Sequence, residues 1–379
     1  MKKFLIVSYY FPPYGIPVGY LRIYKIAKFL KDKGHNVLIF SNKGEIKIDT
    51  KIGDEFNVIW IENEPIKEEI KKKFKILNYL GWPDRRISFF LKGYKKFRDV
   101  IKNFNPDYVI ISAPPFSVLL YSIFIPKNKL IVDFRDIWSY DSLELIKSPI
   151  QRILTEAFES YVIKKSKFCI VLNELAKNYL EKKYKVNKIF VIPHFWDSSI
   201  KIEQNIQPNS ILTIGYFGTI DRRQGLKKVL KAIGDLNIKL KVLLYGVNTD
   251  ETLNELLNYS FVEYKGAIPF EKIPQINVDV LLVCLDRIKG YKIVSTNKSK
   301  ELLALRKPIL AIIPSDGIMY KEFLEIEDVY LADIDNEDEI KKVLFELYQD
   351  WGNKKLKIPK NIEIYKDEVI LEKLYKLIV

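Results

Sequence analysis

From Ser295 to Ala311 the chain reads Ser-Thr-Asn-Lys-Ser-Lys-Glu-Leu-Leu-Ala-Leu-Arg-Lys-Pro-Ile-Leu-Ala, a polar loop feeding a short helix that stops before a strand. Thr296 and Asn297 can cap that helix, which leaves first-turn backbone N–H groups for a phosphate, and Lys298 adds a cation. Glu301 lies one turn further in, where an ionised carboxylate can accept hydrogen bonds from both hydroxyls of a ribose whose diphosphate sits at the helix start. The implied chemistry is recognition of a nucleoside diphosphate. The same residues also spell an ordinary capped helix leading into a buried strand.

Three further constellations fall at expected strand ends. Ser8 to Gly19, with Pro12-Pro13-Tyr14-Gly15 at its centre, precedes a helix carrying Arg22 and can admit a ligand close to backbone at Gly15. It lacks the G-x-G-x-x-G pattern, so a dinucleotide cofactor is disfavoured, and a structural turn is its plainer reading. Asp133-Phe134-Arg135-Asp136 closes another strand. Asp133 and Arg135 share a strand face and can simply pair, whereas Asp136 lies beyond the strand end and is freer to meet substrate. Tyr216 to Gly225 holds Gly218, Arg222 and Arg223, two arginines that either clamp a diphosphate or form solvated surface. His35 follows Gly34 in a turn, a structural place, while His194 ends a strand and is a possible cleft residue.

These residues need elements to hold them. Continuous apolar runs at Phe4–Ser8, Tyr108–Ser112, Leu130–Phe134 and Phe168–Leu172 read as strands buried on both faces, and helical spacing fills the intervals. The pattern repeats at Leu212–Phe217, Lys241–Tyr245, Val280–Cys284 and Ile309–Ile312. Strand, helix, strand repeated in this way implies parallel sheet, and 379 residues imply two α/β domains. Two doubly wound domains facing each other would gather both sets of strand ends around one cleft.

Bulk properties exclude more than they select. A net charge of +14 favours acidic partners, but no nucleic-acid signature accompanies it. Cys169 and Cys284 sit in apolar runs and read as buried thiols. No run reaches the ~18 apolar residues of a membrane span, and Met1 to Gly15 lacks a leader's cleavage pattern, so a cytoplasmic protein, soluble or peripheral, is expected. Ile66 to Leu77 sets apolar residues at helical spacing against a basic face that can rest on an anionic membrane or pack on its own domain.

Taken together, Phe-Pro-Pro-x-Gly, Pro-Asp-Tyr-Val-Ile-Ile-Ser-Ala-Pro-Pro-Phe-Ser, Asp-Phe-Arg-Asp-Ile-Trp, Val-Ile-Pro-His, Gly-Tyr-Phe-Gly-Thr and Lys-Ser-Lys-Glu-Leu-Leu-Ala-Leu-Arg-Lys-Pro-Ile-Leu-Ala resemble the retaining family 4 glycosyltransferases of the GT-B fold, over nearly the whole chain. The resemblance implies an acceptor-side Rossmann-like domain over residues 1–197, a linker at 198–210 and a nucleotide-sugar-binding Rossmann-like domain over 211–361, with a helix at 362–379 packing back on the first. It implies a nucleotide-sugar donor, a glycan or lipid-linked acceptor, and catalysis with neither metal nor cofactor.

Residue by residue, the resemblance assigns Glu301 to the ribose, and Lys298, Gly15 and Gly218 to the donor diphosphate. Thr219 and Gln224 stand where the family carries cations, so Arg222 or Arg223 would supply that charge. Ile293 stands where an acidic partner of Glu301 is common, Ile16 where a second glycine is, and Asp197 follows Phe195-Trp196 where Asn-Gly is usual. Asp136 is the candidate to orient or deprotonate the acceptor. Two other functions need the same diphosphate site: a sugar-nucleotide epimerase or phosphorylase, and a transferase-like binding protein without catalysis.

Overall fold

The computed structural model describes all residues except 16, 45–46, 48–51, 63–81, 142–143 and 200–208, and all but the side chains of 17, 18, 270 and 271 among the rest. The basic segment Ile66–Leu77, Ile16 and most of the expected linker lie outside the described residues. The chain divides into two compact units, one of Met1–Pro193 with Leu371–Val379, the other of His194–Ile370.

The first unit runs β1 (Lys3–Ser8), α1 (Pro17–Asp32), β2 (Asn36–Lys43), β3 (Asn57–Glu62), α2 (Ile87–Phe104), β4 (Tyr108–Ala113), β5 (Leu130–Phe134), α3 (Pro149–Lys165), β6 (Phe168–Val171), α4 (Glu174–Tyr184) and β7 (Ile189–Val191). Its seven strands lie in the order β3-β2-β1-β4-β5-β6-β7, with parallel pairing throughout. Phe4, Leu5, Ile6 and Val7 are wholly buried because both sheet faces are covered, each side chain contributing roughly 1.5–3 kcal/mol. Gly34 ends α1 at φ +82° and turns the chain toward β2, where His35 Nδ1 accepts from the Lys2 N–H and Nε2 meets the Tyr375 hydroxyl at 3.1 Å. That is the structural place expected for His35.

The second unit runs β8 (Leu212–Phe217), α5 (Leu226–Leu236), β9 (Leu240–Tyr245), α6 (Thr252–Leu256), β10 (Val262–Gly266), β11 (Val280–Cys284), α7 (Asn297–Leu303), β12 (Ile309–Ile313), α8 (Ile318–Leu324), β13 (Tyr330–Asp333) and α9 (Glu337–Gly352). A final helix, α10 (Asp367–Ile378), leads from this unit into the first. The six strands are ordered β10-β9-β8-β11-β12-β13, again parallel. Strand order reverses beside β1 in one unit and beside β8 in the other. Ligands of open α/β sheets sit beyond the strand carboxyl ends at such reversals, which picks out the loops after Ser8 and Phe217.

Both cysteines are free and buried as expected, and burial pushes the Cys169 thiol up to about 12. Among the described residues no helix is long and apolar enough to cross a membrane.

Candidate active site

In the second unit the residues expected to recognise a nucleotide assemble around the end of β8. Thr296 is the N-cap of α7, and its hydroxyl accepts the Ser299 N–H at 3.3 Å. Asn297 does not cap; its amide donates to Glu301 Oε1 and steadies that carboxylate. With only seven residues in α7 and one first-turn N–H already taken by Thr296, the helix end offers an anion less than the sequence promised.

Lys298 supplies what the helix end does not. Its ammonium lies against Gly218, so close that a Cβ built on Gly218 would stand 1.7 Å from Nζ, and it sits 5.6 Å from the centre of the Tyr216 ring. Among the described residues it makes no hydrogen bond or ion pair. Burial pushes its pKa down to about 8, against the opposing pull of Glu301. A charged amine withdrawn from water and left without a partner is costly alone and favourable once an anion arrives.

Its neighbour Lys300 has the opposite fate. Wholly buried, it pairs with Glu322 at 2.8 Å and lies 4.0 Å from the centre of the Tyr365 ring, while the Ser295 hydroxyl donates to both Glu322 oxygens at 2.9 Å. This network locks α7 onto α8 and thereby positions Lys298 and Glu301. The sequence, which shows two similar lysines, offered no signal for that division of labour.

The two arginines also part company. Arg223 binds Asp221 through Nε and Nη2 at 3.0 and 2.8 Å, whereas Arg222 is exposed and uses its backbone N–H on Asp250. Asp221 in turn caps the short turn that carries both. Ile293 closes a brief turn after Gly290, and Asp197 accepts from the Ser199 N–H and hydroxyl.

In the first unit two strand-end loops and the start of α1 converge on Arg135. Its guanidinium donates to the carbonyls of Gly19 at 3.1 Å and Pro114 at 2.5 Å, tying the first turn of α1 and the loop after β4 to the one after β5. The expected pairing of Asp133 with Arg135 is not what forms. Asp133, fully buried, instead takes Arg22 through Nε and Nη2 at 3.0–3.2 Å, and accepts the Ser112 hydroxyl at 2.8 Å. Arg22 reaches it from α1 and also donates to the carbonyls of Ile192 and Pro193. A partner 111 residues away cannot be seen from strand alternation.

Asp136 stands half-buried immediately past β5, and its charge, with that of Asp133, opposes the lowering of the Arg135 pKa by burial. Gly15 takes φ +105°, and a Cβ there would meet the Tyr10 ring at 2.7 Å, so the turn demands glycine. Two buried polar groups escaped the sequence reading. Asn42, at the carboxyl end of β2, has neither amide atom hydrogen-bonded. Glu159, on α3, accepts from the Ser139 N–H at 3.2 Å and the Tyr184 hydroxyl at 2.7 Å, and so fixes the segment after Asp136. His194 is buried at the start of the second unit.

Residues 21–199 match the model of Glycosyltransferase Family 4. No curated protein sequence matches the chain. Among solved structures, sucrose-phosphate synthase from Thermosynechococcus elongatus is similar with a TM-score of 0.74 at 14% identity, covering 100% of this chain and 98% of that one. Anabaena Alr3699/HepE in complex with UDP and glucose gives 0.67 at 15%, covering 100% and 99%. A glycosyltransferase from Rickettsia africae ESF-5 gives 0.64 at 16%, covering 99% and 97%. At such identities the likeness establishes fold, here the GT-B arrangement of two parallel-sheet α/β domains. Residues 21–199 are thus similar to a Glycosyltransferase Family 4 domain, within a chain of GT-B fold.

Proposed function

We propose that the protein transfers a glycosyl group from a nucleotide sugar to a hydroxyl of a glycan or lipid-linked acceptor, with retention at the anomeric carbon and without a metal ion. The observation that carries this reading is Lys298, a half-buried ammonium resting on Gly218 near the carboxylate of Glu301, with no hydrogen bond or ion pair among the described residues. As the bond from the anomeric carbon to the diphosphate oxygen breaks, negative charge grows on the β-phosphate. A preorganised cation stabilises that charge more in the transition state than in the ground state.

Glu301, held by Asn297, receives the ribose hydroxyls, Thr296 shapes the turn, and Gly218 leaves room for the Lys298 ammonium that meets the diphosphate. Arg222 is the free-standing cation nearby, and Arg223 contributes to the extent that it leaves Asp221. In the first unit, Gly15 brings backbone toward the donor, and Asp136 orients the acceptor hydroxyl or takes its proton. We assign the reaction to cell-surface glycan or glycolipid synthesis on the cytoplasmic side of the membrane.

The test begins with thermal shift against a panel of nucleotide sugars, since a donor that binds only the folded state raises apparent stability. UDP-glucose is the first to try because Anabaena Alr3699/HepE has been solved with it. Transfer is then followed with and without EDTA, and the anomeric configuration of the product is read by NMR. Inversion would refute the retaining step, release of a sugar phosphate would point to a phosphorylase, and binding without turnover would leave a non-catalytic binding protein.

A further inference from the structure

Helix α3 is amphipathic the wrong way round for a helix packed on a sheet. Its buried positions include Gln151, Thr155 and Glu159 beside Val162 and Ile163. Each of the three polar groups has a task there: Gln151 completes the capping box with Ser148, Thr155 accepts the Trp82 indole N–H at 3.2 Å, and Glu159 holds Ser139 and Tyr184. The large apolar side chains face outward instead. Ile150 is 59% exposed, Ile153 67%, Leu154 37% and Tyr161 42%. Their positions recur every three to four residues or its double, so they form one stripe along the helix.

The stripe continues beyond the helix. Leu145 is exposed just before it, and exposed Ile123 lies alongside, its carbonyl accepting from Lys165. A contiguous apolar strip of this kind marks an interaction surface.

The charges around it select the partner. Lys147, Arg152, Lys164, Lys165 and, from α4, Lys183 flank the stripe, while the acids beside it are exposed Glu144 and half-buried Glu156. Arg152 and Lys183 both engage Glu156, at 3.6 and 2.9 Å, whereas Lys147 and Lys164 have no ion pair among the described residues. Apolar side chains on the ridge, lysines along the flanks and a tyrosine bonded to a lysine at 3.0 Å match the boundary between acyl chains and anionic headgroups.

We propose that the outward face of α3 docks the protein on an anionic lipid bilayer, with Ile150, Ile153, Leu154 and Tyr161 entering the interface and the flanking lysines meeting headgroups. This inference is independent of the transferase reading.

The experiment is sedimentation of the full chain with vesicles of phosphatidylcholine alone or mixed with phosphatidylglycerol. The wild type should pellet with the mixed vesicles and stay largely in solution with the neutral ones, and added salt should weaken the difference. Ile150→Glu with Ile153→Glu should lower partitioning at least roughly tenfold with an unchanged melting temperature, because two apolar side chains lose their burial in lipid. Lys147→Glu with Lys164→Glu should act in the same direction and remove the preference for phosphatidylglycerol. Four outcomes would overturn the proposal: wild-type protein that stays in solution with both vesicles; glutamate variants that pellet like the wild type; glutamate variants with lowered melting temperature, which would mean the chain itself covers the stripe; or a wild-type dimer in size-exclusion chromatography that the variants abolish.

Discussion

The ammonium of Lys298 occupies the space that a side chain on Gly218 would need: a Cβ there would stand 1.7 Å from Nζ and 2.9 Å from the Tyr216 hydroxyl. The two residues belong to different loops of the second unit, one after β8 and one opening α7, and their contact makes one site of both.

Gly218→Ala should therefore move Lys298 rather than disturb the sheet, since the nearest obstacle is the far end of a flexible side chain. Donor affinity should fall by about tenfold or more, the scale of one charge-assisted hydrogen bond. Calorimetric titration with the donor checks this, while circular dichroism should show the fold retained. Unchanged affinity would mean that the position of Lys298 does not matter to the donor.

Lys298→Met should stabilise the free protein and impair binding. The folded-state pKa of about 8 lies below the ordinary 10.5, so between those values the unfolded chain holds a proton that the folded chain has lost. The wild type's stability then rises with pH across that window relative to Lys298→Met, and below it the burial cost is fully present. At pH near 7 the methionine variant should melt a few degrees higher, consistent with relief of ~1–3 kcal/mol, and the gap should close toward alkaline pH. Wild-type donor affinity should decline as pH rises above about 8, with proton uptake on binding visible as a buffer-dependent enthalpy.

Glu301→Ala and Asp136→Asn separate donor from acceptor. Loss of the ribose contact should raise the donor KM at least tenfold, the acceptor KM changing little. Asp136→Asn keeps shape and removes basicity, so kcat should fall by roughly 10²-fold or more if the carboxylate takes the acceptor proton. Steady-state kinetics with an identified donor decides, and wild-type rates in both variants would refute the assignment.

Asp133→Ala should act on stability before chemistry. It strands the buried Arg22 guanidinium, which has Asp133 and two backbone carbonyls as partners. Removing one member of a buried pair costs about 3–5 kcal/mol. Thermal unfolding should show the loss, and a variant melting like the wild type would mean Arg22 finds other acceptors.

What the sequence determined by itself is local. Apolar runs at Leu130–Phe134, Leu212–Phe217 and Val280–Cys284 are strands to the residue, because burial imposes a pattern on neighbouring residues. Parallel sheets followed from the alternation of elements, and Lys298 and Glu301 were legible as one helix turn. Whatever depends on partners distant in sequence was decided by tertiary structure alone. Asp133 pairs with Arg22 rather than with Arg135 two residues on, because α1 brings that guanidinium within 3.0 Å of the buried β5 carboxylate. Lys300 was sequestered by Glu322 while Lys298 came to lie against Gly218, and α3 turned its polar residues inward because Trp82, Ser139 and Tyr184 waited there. Helical periodicity reports that one face differs from the other. Which face is buried depends on the hydrogen-bonding groups that the rest of the fold presents to it.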